Sequence, residues 1–294
     1  MRHLASIHDL TDEDMRALLR SARAMAEDTR EQRHVLDGRV ICTAFFEPST
    51  RTRLSFEAAA QRLGSGVIGF SDPATTSSAK GETLEDTIRM LAGYCDLIVM
   101  RHPKEGAAKR AVAVSSVPIV NAGDGPGEHP TQTLLDLYTM ERCKGGIEDL
   151  EVALVGDLKF GRTVHSLVPA LRRLGAHPVA VAAPGLELPP AVGKGVPTMS
   201  LEEAAASCDV LYVTRVQKER FTDLAEYERV AGSFRIDVPL LQRTKSKAIV
   251  LHPLPRVDEI ATEVDSHPAA KYFDQARNAV PVRMAVLASL LGDA

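Results

Sequence analysis

Short apolar runs, each separated from the next by a helical pattern, decide what this chain can become. The candidate strands are Val40–Phe46, Val67–Phe70, Asp96–Met100, Pro118–Asn121, Glu151–Val155, Pro178–Ala182, Val210–Thr214 and Ala248–Leu251. Helical periodicity is read over Asp12–Met25, Leu54–Leu63, Thr83–Ala92, Glu105–Val114, Gln132–Arg142, Thr163–Leu174, Leu201–Ala206 and part of Pro268–Leu291. Strands buried on both faces read as continuous apolar runs, and parallel neighbours need a crossover helix. The alternation therefore predicts an α/β chain of two lobes, each a mostly parallel sheet flanked by helices, with the ligand site in the cleft between them. Lys144-Gly145-Gly146 closes a helix just ahead of the strand at Glu151, which places the hinge around helix Gln132–Arg142. The expected domains are 1–142 and 143–267, with a last helix of about 268–294 returning to the first domain because its apolar face needs burial.

In such sheets ligands bind beyond the carboxyl ends of the strands. The first strand leads into Glu47-Pro48-Ser49-Thr50-Arg51-Thr52-Arg53 and then a helix closed by Gly64. Free backbone N–H groups and the positive end of a helix dipole meet at such a junction and favour an anion. The three hydroxyls suit phosphate oxygens, and either Arg51 or Arg53 can grip a phosphate bidentately. An ordinary cap from Ser49 or Thr50, with solvated arginines, is the competing reading.

Other strand ends carry similar chemistry. Arg101 follows the strand Asp96–Met100, either as a surface cation or as a second cation for the same anion. The glycine-rich loop 121–131 leads into a helix, with His129 and Gln132 spaced to face one ligand. His129 can donate to a polarised carbonyl oxygen or act as an acid or base. The segment Gly156–Arg162 lacks the G-x-G-x-x-G spacing of a dinucleotide loop and leaves Arg162 on a first helical turn, a second anion position. Arg215 and Gln217 open a charged stretch that, with Phe221–Phe234, reads as a long loop of the kind that forms lids. In His252-Pro253-Leu254-Pro255 two prolines fix the backbone and aim the Leu254 carbonyl. The polar loop Thr76–Thr83 offers Lys80 as a flexible cation, against the default of a solvated lysine.

Composition narrows the partners. The net charge of −4 gives no general attraction to nucleic acid or an anionic membrane, so an anion site must come from local basic residues. Trp is absent, which disfavours a base-stacking platform. Cys42, Cys95, Cys143 and Cys208 are isolated, without CxxC or HExxH spacing, so no metal site is expected. The early acidic residues do not fit a signal peptide, and no stretch approaches a membrane span. A reducing cytoplasm is the simplest address.

Together these segments resemble the transcarbamoylase family over nearly the whole chain. Ser49–Arg53 is similar to its carbamoyl phosphate signature. Met100–Pro103, Gly156–Ser166, Thr214–Arg220 and His252–Arg256 resemble the aspartate branch, and Pro253 stands where the ornithine branch would carry Cys. The resemblance implies transfer of the carbamoyl group of carbamoyl phosphate to L-aspartate, the committed step of pyrimidine synthesis, with no metal or organic cofactor. It implies that Ser49, Thr50, Arg51, Thr52 and Arg101 hold phosphate, and that Thr52, Arg101 and His129 face the carbonyl oxygen. It further implies that Gln132 with Pro253 and the Leu254 backbone holds the carbamoyl NH₂, and that Arg162, Arg215 and Gln217 receive the aspartate carboxylates. Ser77 and Lys80 would come from a neighbouring subunit of a homotrimer. Their spacing is one residue shorter than the family's, which would select Thr76 in place of Ser77. Regulatory or dihydroorotase-type partner chains are left open. The rival readings are a transcarbamoylase for another amine and a non-catalytic anion-binding or scaffolding subunit.

Overall fold

The computed structural model describes residues 2–27, 34–216, 224–230 and 232–292. In chain order the elements are α1 (Asp12–Glu27), β1 (Val40–Phe45), α2 (Thr50–Arg62), β2 (Gly66–Phe70), α3 (Leu84–Ala92), β3 (Leu97–His102), α4 (Ala107–Val114), β4 (Ile119–Asp124) and α5 (Pro130–Lys144). They continue with β5 (Glu151–Val155), α6 (Arg162–Arg173), β6 (His177–Val181), α7 (Pro190–Gly193), α8 (Leu201–Ser207), β7 (Val210–Val213), α9 (Leu224–Val230), α10 (Val238–Leu241), β8 (Ile249–Leu251) and α11 (Tyr272–Leu291). Each expected strand is present among the described residues. The chain forms two compact units: one ends at Tyr138 and resumes at Asn278, and the other is Thr139–Arg277. The divides fall inside α5 and α11, each of which runs through its divide as one continuous helix.

The first unit holds a parallel sheet of order β2-β1-β3-β4, and the second a parallel sheet of order β6-β5-β7-β8. In both, the first strand of the unit is central and the chain winds outward to either side, which puts a switch in strand order at its carboxyl end. Cys42, Ala44, Ile98, Met100 and the Ala107, Ala108 and Ala111 face of α4 make one buried cluster. Val155, Val181, Leu211, Val213 and Val250 make the corresponding cluster of the second unit with α8 and α10.

Two boundaries differ from the sequence reading in ways that matter. Helix α2 begins at Thr50, not Leu54, so Arg51, Thr52 and Arg53 form its first turn. Apolar periodicity is blind to a polar first turn that faces away from the core. The expected loop over Phe221–Phe234 contains helix α9, and the rest of its start, including Gln217, lies outside the described residues. Among the described residues no helix is long and apolar enough to cross a membrane, and no group of three or more His, Cys, Asp or Glu side chains could hold a metal ion.

Gly156 shows why the strand ends pack so closely. It sits at φ 114°, and a Cβ there would lie 2.1 Å from the Thr214 carbonyl oxygen. Gly156→Ala is therefore expected to cost at least about 2 kcal/mol, combining left-handed strain with a backbone clash. A thermal melt showing an unchanged midpoint would contradict this packing.

Candidate active site

In the first unit the candidate residues follow or end β1, β3 and β4 on the carboxyl side of the sheet. Ser49 is the residue before the helix, extended at φ −161° and ψ 102°, yet its hydroxyl makes no capping bond. The ordinary-cap reading is therefore wrong for Ser49: the first-turn N–H groups receive nothing from its side chain. The structure also chooses between the two arginines. Arg53 pairs with Glu57 at 3.5 Å, one turn along the helix, while no ion pair engages Arg51 among the described residues. Burial pushes the Arg51 guanidinium down from its ordinary value, but such a group stays a cation at neutral pH. Thr50 is exposed and Thr52 is buried at the base of the turn.

Arg101 enters this group from the end of β3, where Phe46 donates its N–H to the Arg101 carbonyl at 2.8 Å. The register between β3 and β4 shifts between Met100 and His102, an irregularity that re-aims the intervening side chain. Arg101 pairs with Glu47 at 2.5 Å and donates to the Ala122 carbonyl at 3.3 Å. An incoming anion would thus share Arg101 with a carboxylate.

His129 is buried where the β4 loop meets α5, and its carbonyl accepts from the N–H groups of Gln132 and Thr133 at 2.9 and 3.2 Å. The loop before it is held by carboxylates. Asp124 accepts from the Gly106 and Glu128 N–H groups, both at 3.0 Å. Glu128 in turn accepts from the Ser6 hydroxyl at 2.7 Å and the Ile7 N–H at 2.9 Å, tying the N-terminal segment to the loop. Gly125, at φ 53°, passes so near Pro103 that a Cβ would lie 2.6 Å from its carbonyl oxygen. Gln132 donates its Nε2 to Asp136 at 2.8 Å; because a carboxylate only accepts, this fixes which end of the amide is the nitrogen and leaves Oε1 as an acceptor.

Ser77 and Lys80 bound a short 3₁₀ segment, both exposed, with no side-chain hydrogen bond to the α2 turn among the described residues. Thr76, the alternative, donates its hydroxyl to the Pro73 carbonyl at 2.8 Å.

The second unit places its own candidates at the ends of β5, β7 and β8. Arg162 is the first residue of α6, half-buried, after an N-cap glycine that offers no side chain. Arg215 follows β7 and, with Gly156, Tyr227, Phe234 and Glu259, lines a cavity of about 200 Å³. Leu254 lies at φ 54°, before a cis bond to Pro255. A leucine in the left-handed region is strained, and the surroundings must hold it there. They do so through His252, whose Nδ1 accepts the Leu254 N–H at 2.8 Å. That bond makes the His252 Nε2 the donor to Glu259, 2.7 Å away in a buried pair. The other oxygen of Glu259 accepts the Val257 and Asp258 N–H groups at 3.0 and 3.1 Å. The two prolines alone therefore do not aim the Leu254 carbonyl; this buried dyad, unnoticed in the sequence, does. Arg256 in the same segment is committed to Asp265 and Tyr272.

Burial pushes the Glu259 carboxyl up, but the His252 hydrogen bond and the backbone N–H groups outweigh it and hold it below the usual 4.5. A lowered carboxyl stabilises the fold above the unfolded value and loses that contribution as pH falls through the folded one. Glu259→Gln must face a ring or backbone donor with its own NH₂, whichever way it turns. We expect a loss of about 1–3 kcal/mol at pH 7 that shrinks as the medium is acidified below 4.5. Denaturant melts at pH 7 and pH 4 measure both; a loss equal at the two pH values would contradict the arrangement.

Two parallel α/β units, each with basic side chains at the carboxyl ends of its strands, place the chain in the class of two-domain α/β proteins. The family model described as Aspartate/ornithine carbamoyltransferase, carbamoyl-P binding domain, matches residues 2–142, and that of the Asp/Orn binding domain matches residues 148–290. The chain belongs to the aspartate/ornithine carbamoyltransferase family. It is 51% identical to the aspartate carbamoyltransferase catalytic subunit of Methanocella arvoryzae, covering 99% of this chain and 97% of that one. With the catalytic subunit from Archaeoglobus fulgidus it shares 50% identity over 99% of each. Among solved structures, the catalytic subunit of M. jannaschii aspartate transcarbamoylase superposes with TM-score 0.90 at 49% identity, covering 99% of this chain and 98% of that one. The Trypanosoma cruzi enzyme in complex with carbamoyl phosphate and aspartate superposes with TM-score 0.92 at 42% identity, covering 99% and 97%.

Proposed function

We propose that this chain is an aspartate carbamoyltransferase, which transfers the carbamoyl group of carbamoyl phosphate to the amine of L-aspartate and releases phosphate, a step of pyrimidine synthesis. The observation that carries the reading is the start of α2: a helix N-terminus uncapped by its Ser49, with Arg51 unengaged beside it. Ser49, Thr50, Arg51, Thr52 and Arg101 take the phosphate. As the amine attacks, charge grows on the carbonyl oxygen, and His129, Thr52 and Arg101 donate to it selectively in the transition state. The carbamoyl NH₂ needs two acceptors. Gln132 Oε1, freed by Asp136, is one, and the Leu254 carbonyl beside Pro253 is the other. The amine loses a proton as the C–N bond forms; the departing phosphate, its C–O bond broken, can accept it, so no protein base is required. Arg162, Arg215 and Gln217 receive the two carboxylates of aspartate.

The domain 1–142 would serve carbamoyl phosphate and 143–267 aspartate. In the same reading the chain works as a homotrimer in the cytoplasm, with Ser77 and Lys80 reaching a neighbouring copy's site; their exposure, with no side-chain hydrogen bond to their own α2 turn among the described residues, supports it.

With carbamoyl phosphate as donor, aspartate should be carbamoylated and ornithine and N-acetylornithine should not, because the arginines suit a second carboxylate and repel a cationic side chain. Transfer to ornithine in preference would overturn the assignment. Arg51→Ala should lower the turnover number about 10²–10³-fold with the fold intact. Mixing Arg51→Ala with Lys80→Ala chains should restore part of the activity; verified hybrids with none would reject the shared site.

A further inference from the structure

Helix α11 brings a buried cation to the α2 turn that the chemistry above does not use. Arg283 is 2% exposed and belongs to the first unit. Its Nη1 donates to the Thr52 carbonyl at 3.4 Å, and its guanidinium lies over the Phe56 ring, 4.5 Å from the centroid. Thr52 and Phe56 are one turn apart on α2, so the guanidinium lies along the flank of that helix's beginning. The Nε of Arg283 is buried with no hydrogen-bond partner, and among the described residues no carboxylate pairs with it. Burial pushes its pKa down to about 9, with the Arg101 charge acting in the same direction, so it remains a cation at neutral pH.

A buried charge with no counter-ion is the arrangement folded proteins avoid. One carbonyl and one aromatic face compensate it only in part. Thr131, two residues after His129, adds a buried hydroxyl with no hydrogen-bond partner in the same unit. Unsatisfied buried polar groups in a native structure call for an explanation, and the missing component of matching charge here is an anion. The α2 start, whose first-turn carbonyl Arg283 holds, is where that anion would sit.

We propose that Arg283 is a positioning residue of the phosphate site: from behind the first turn of α2 it holds the Thr52 carbonyl and adds a buried positive charge that only a bound phosphate group neutralises. The proposal rests on the phosphate reading of that turn. In the low-dielectric interior such a charge acts on the anion without touching it. It also makes the apo fold bear a cost that ligand binding relieves.

Calorimetric titration of the full chain with inorganic phosphate tests this, using Arg283→Met, Arg283→Gln, Arg283→Lys and, as reference, Arg51→Ala. Arg283→Met should weaken phosphate binding about tenfold or more, yet melt at the same temperature as the parent, or higher, without phosphate, because an apolar residue of similar length removes the uncompensated charge. Arg283→Gln keeps an N–H donor for Thr52 but not the charge and should behave as Met does. Arg283→Lys keeps the charge and should retain most of the affinity. A merely structural strut predicts the reverse: a lower apo melting temperature and unchanged phosphate affinity in Arg283→Met, which would overturn the proposal. If neither uncharged variant folds, a folded Arg283→Lys decides by keeping or losing phosphate. If Arg51→Ala also binds phosphate as the parent does, the reading of the α2 turn itself has failed, and the role of Arg283 with it.

Discussion

Everything in the proposed chemistry depends on a helix that begins where a strand ends, with nothing of its own to satisfy its first turn. Most helices meet this demand with a side-chain cap. Thr83 does so for α3, Ser200 for α8 and Asp237 for α10. Ser49 does not do so for α2. The donors left open there lie where β1 ends, and the sheet order places β3 beside β1 and β4 beyond β3. In the proposed chemistry a phosphate group supplies what the turn lacks, its oxygens accepting from donors already fixed in place.

The carboxylates of the first unit are deployed to protect that demand rather than to cancel it. Glu57 engages Arg53, Asp136 engages Gln132, and Asp124 and Glu128 spend their oxygens on backbone N–H groups and Ser6. Each therefore orients a loop or a side chain without placing negative charge on Arg51. Glu47 is the exception, pairing with Arg101 at 2.5 Å, and gives Arg101 a partner in the absence of ligand. In the second unit the same logic appears with different parts, where His252 and Glu259 hold Leu254 in a left-handed backbone so that its carbonyl is fixed.

Most strands were legible because parallel strands buried on both faces are written as unbroken apolar runs; β2, an edge strand with Ile68 exposed, was found by its apolar residues alone. The anion turn was legible because Ser, Thr and Arg crowd one strand-to-helix junction. The start of α2 was misjudged by a turn, since helical periodicity records only the face that meets the core. What remained hidden depends on partners distant along the chain. Glu128 meets Ser6 across 122 positions and Arg283 meets Thr52 across 231. Within its own stretch, Val280-Pro281-Val282-Arg283-Met284 gives no sign that the arginine faces inward. The His252–Glu259 pair spans only seven positions, but two polar residues flanking a proline-rich loop look like surface until the loop is seen to fold over them. The likeness to the transcarbamoylase family supplied roles that residue chemistry alone left open, such as the division between phosphate and carboxylate cations.

The central claim is that the backbone N–H groups at the start of α2 bind the phosphate group of the donor substrate. Amide NMR of the isotopically labelled chain addresses it most directly. On saturation with carbamoyl phosphate, the Thr50, Arg51 and Thr52 amide resonances should move downfield and their exchange with solvent should slow. If those three stay unchanged while carbamoyl phosphate binds, the phosphate lies elsewhere and the account is wrong.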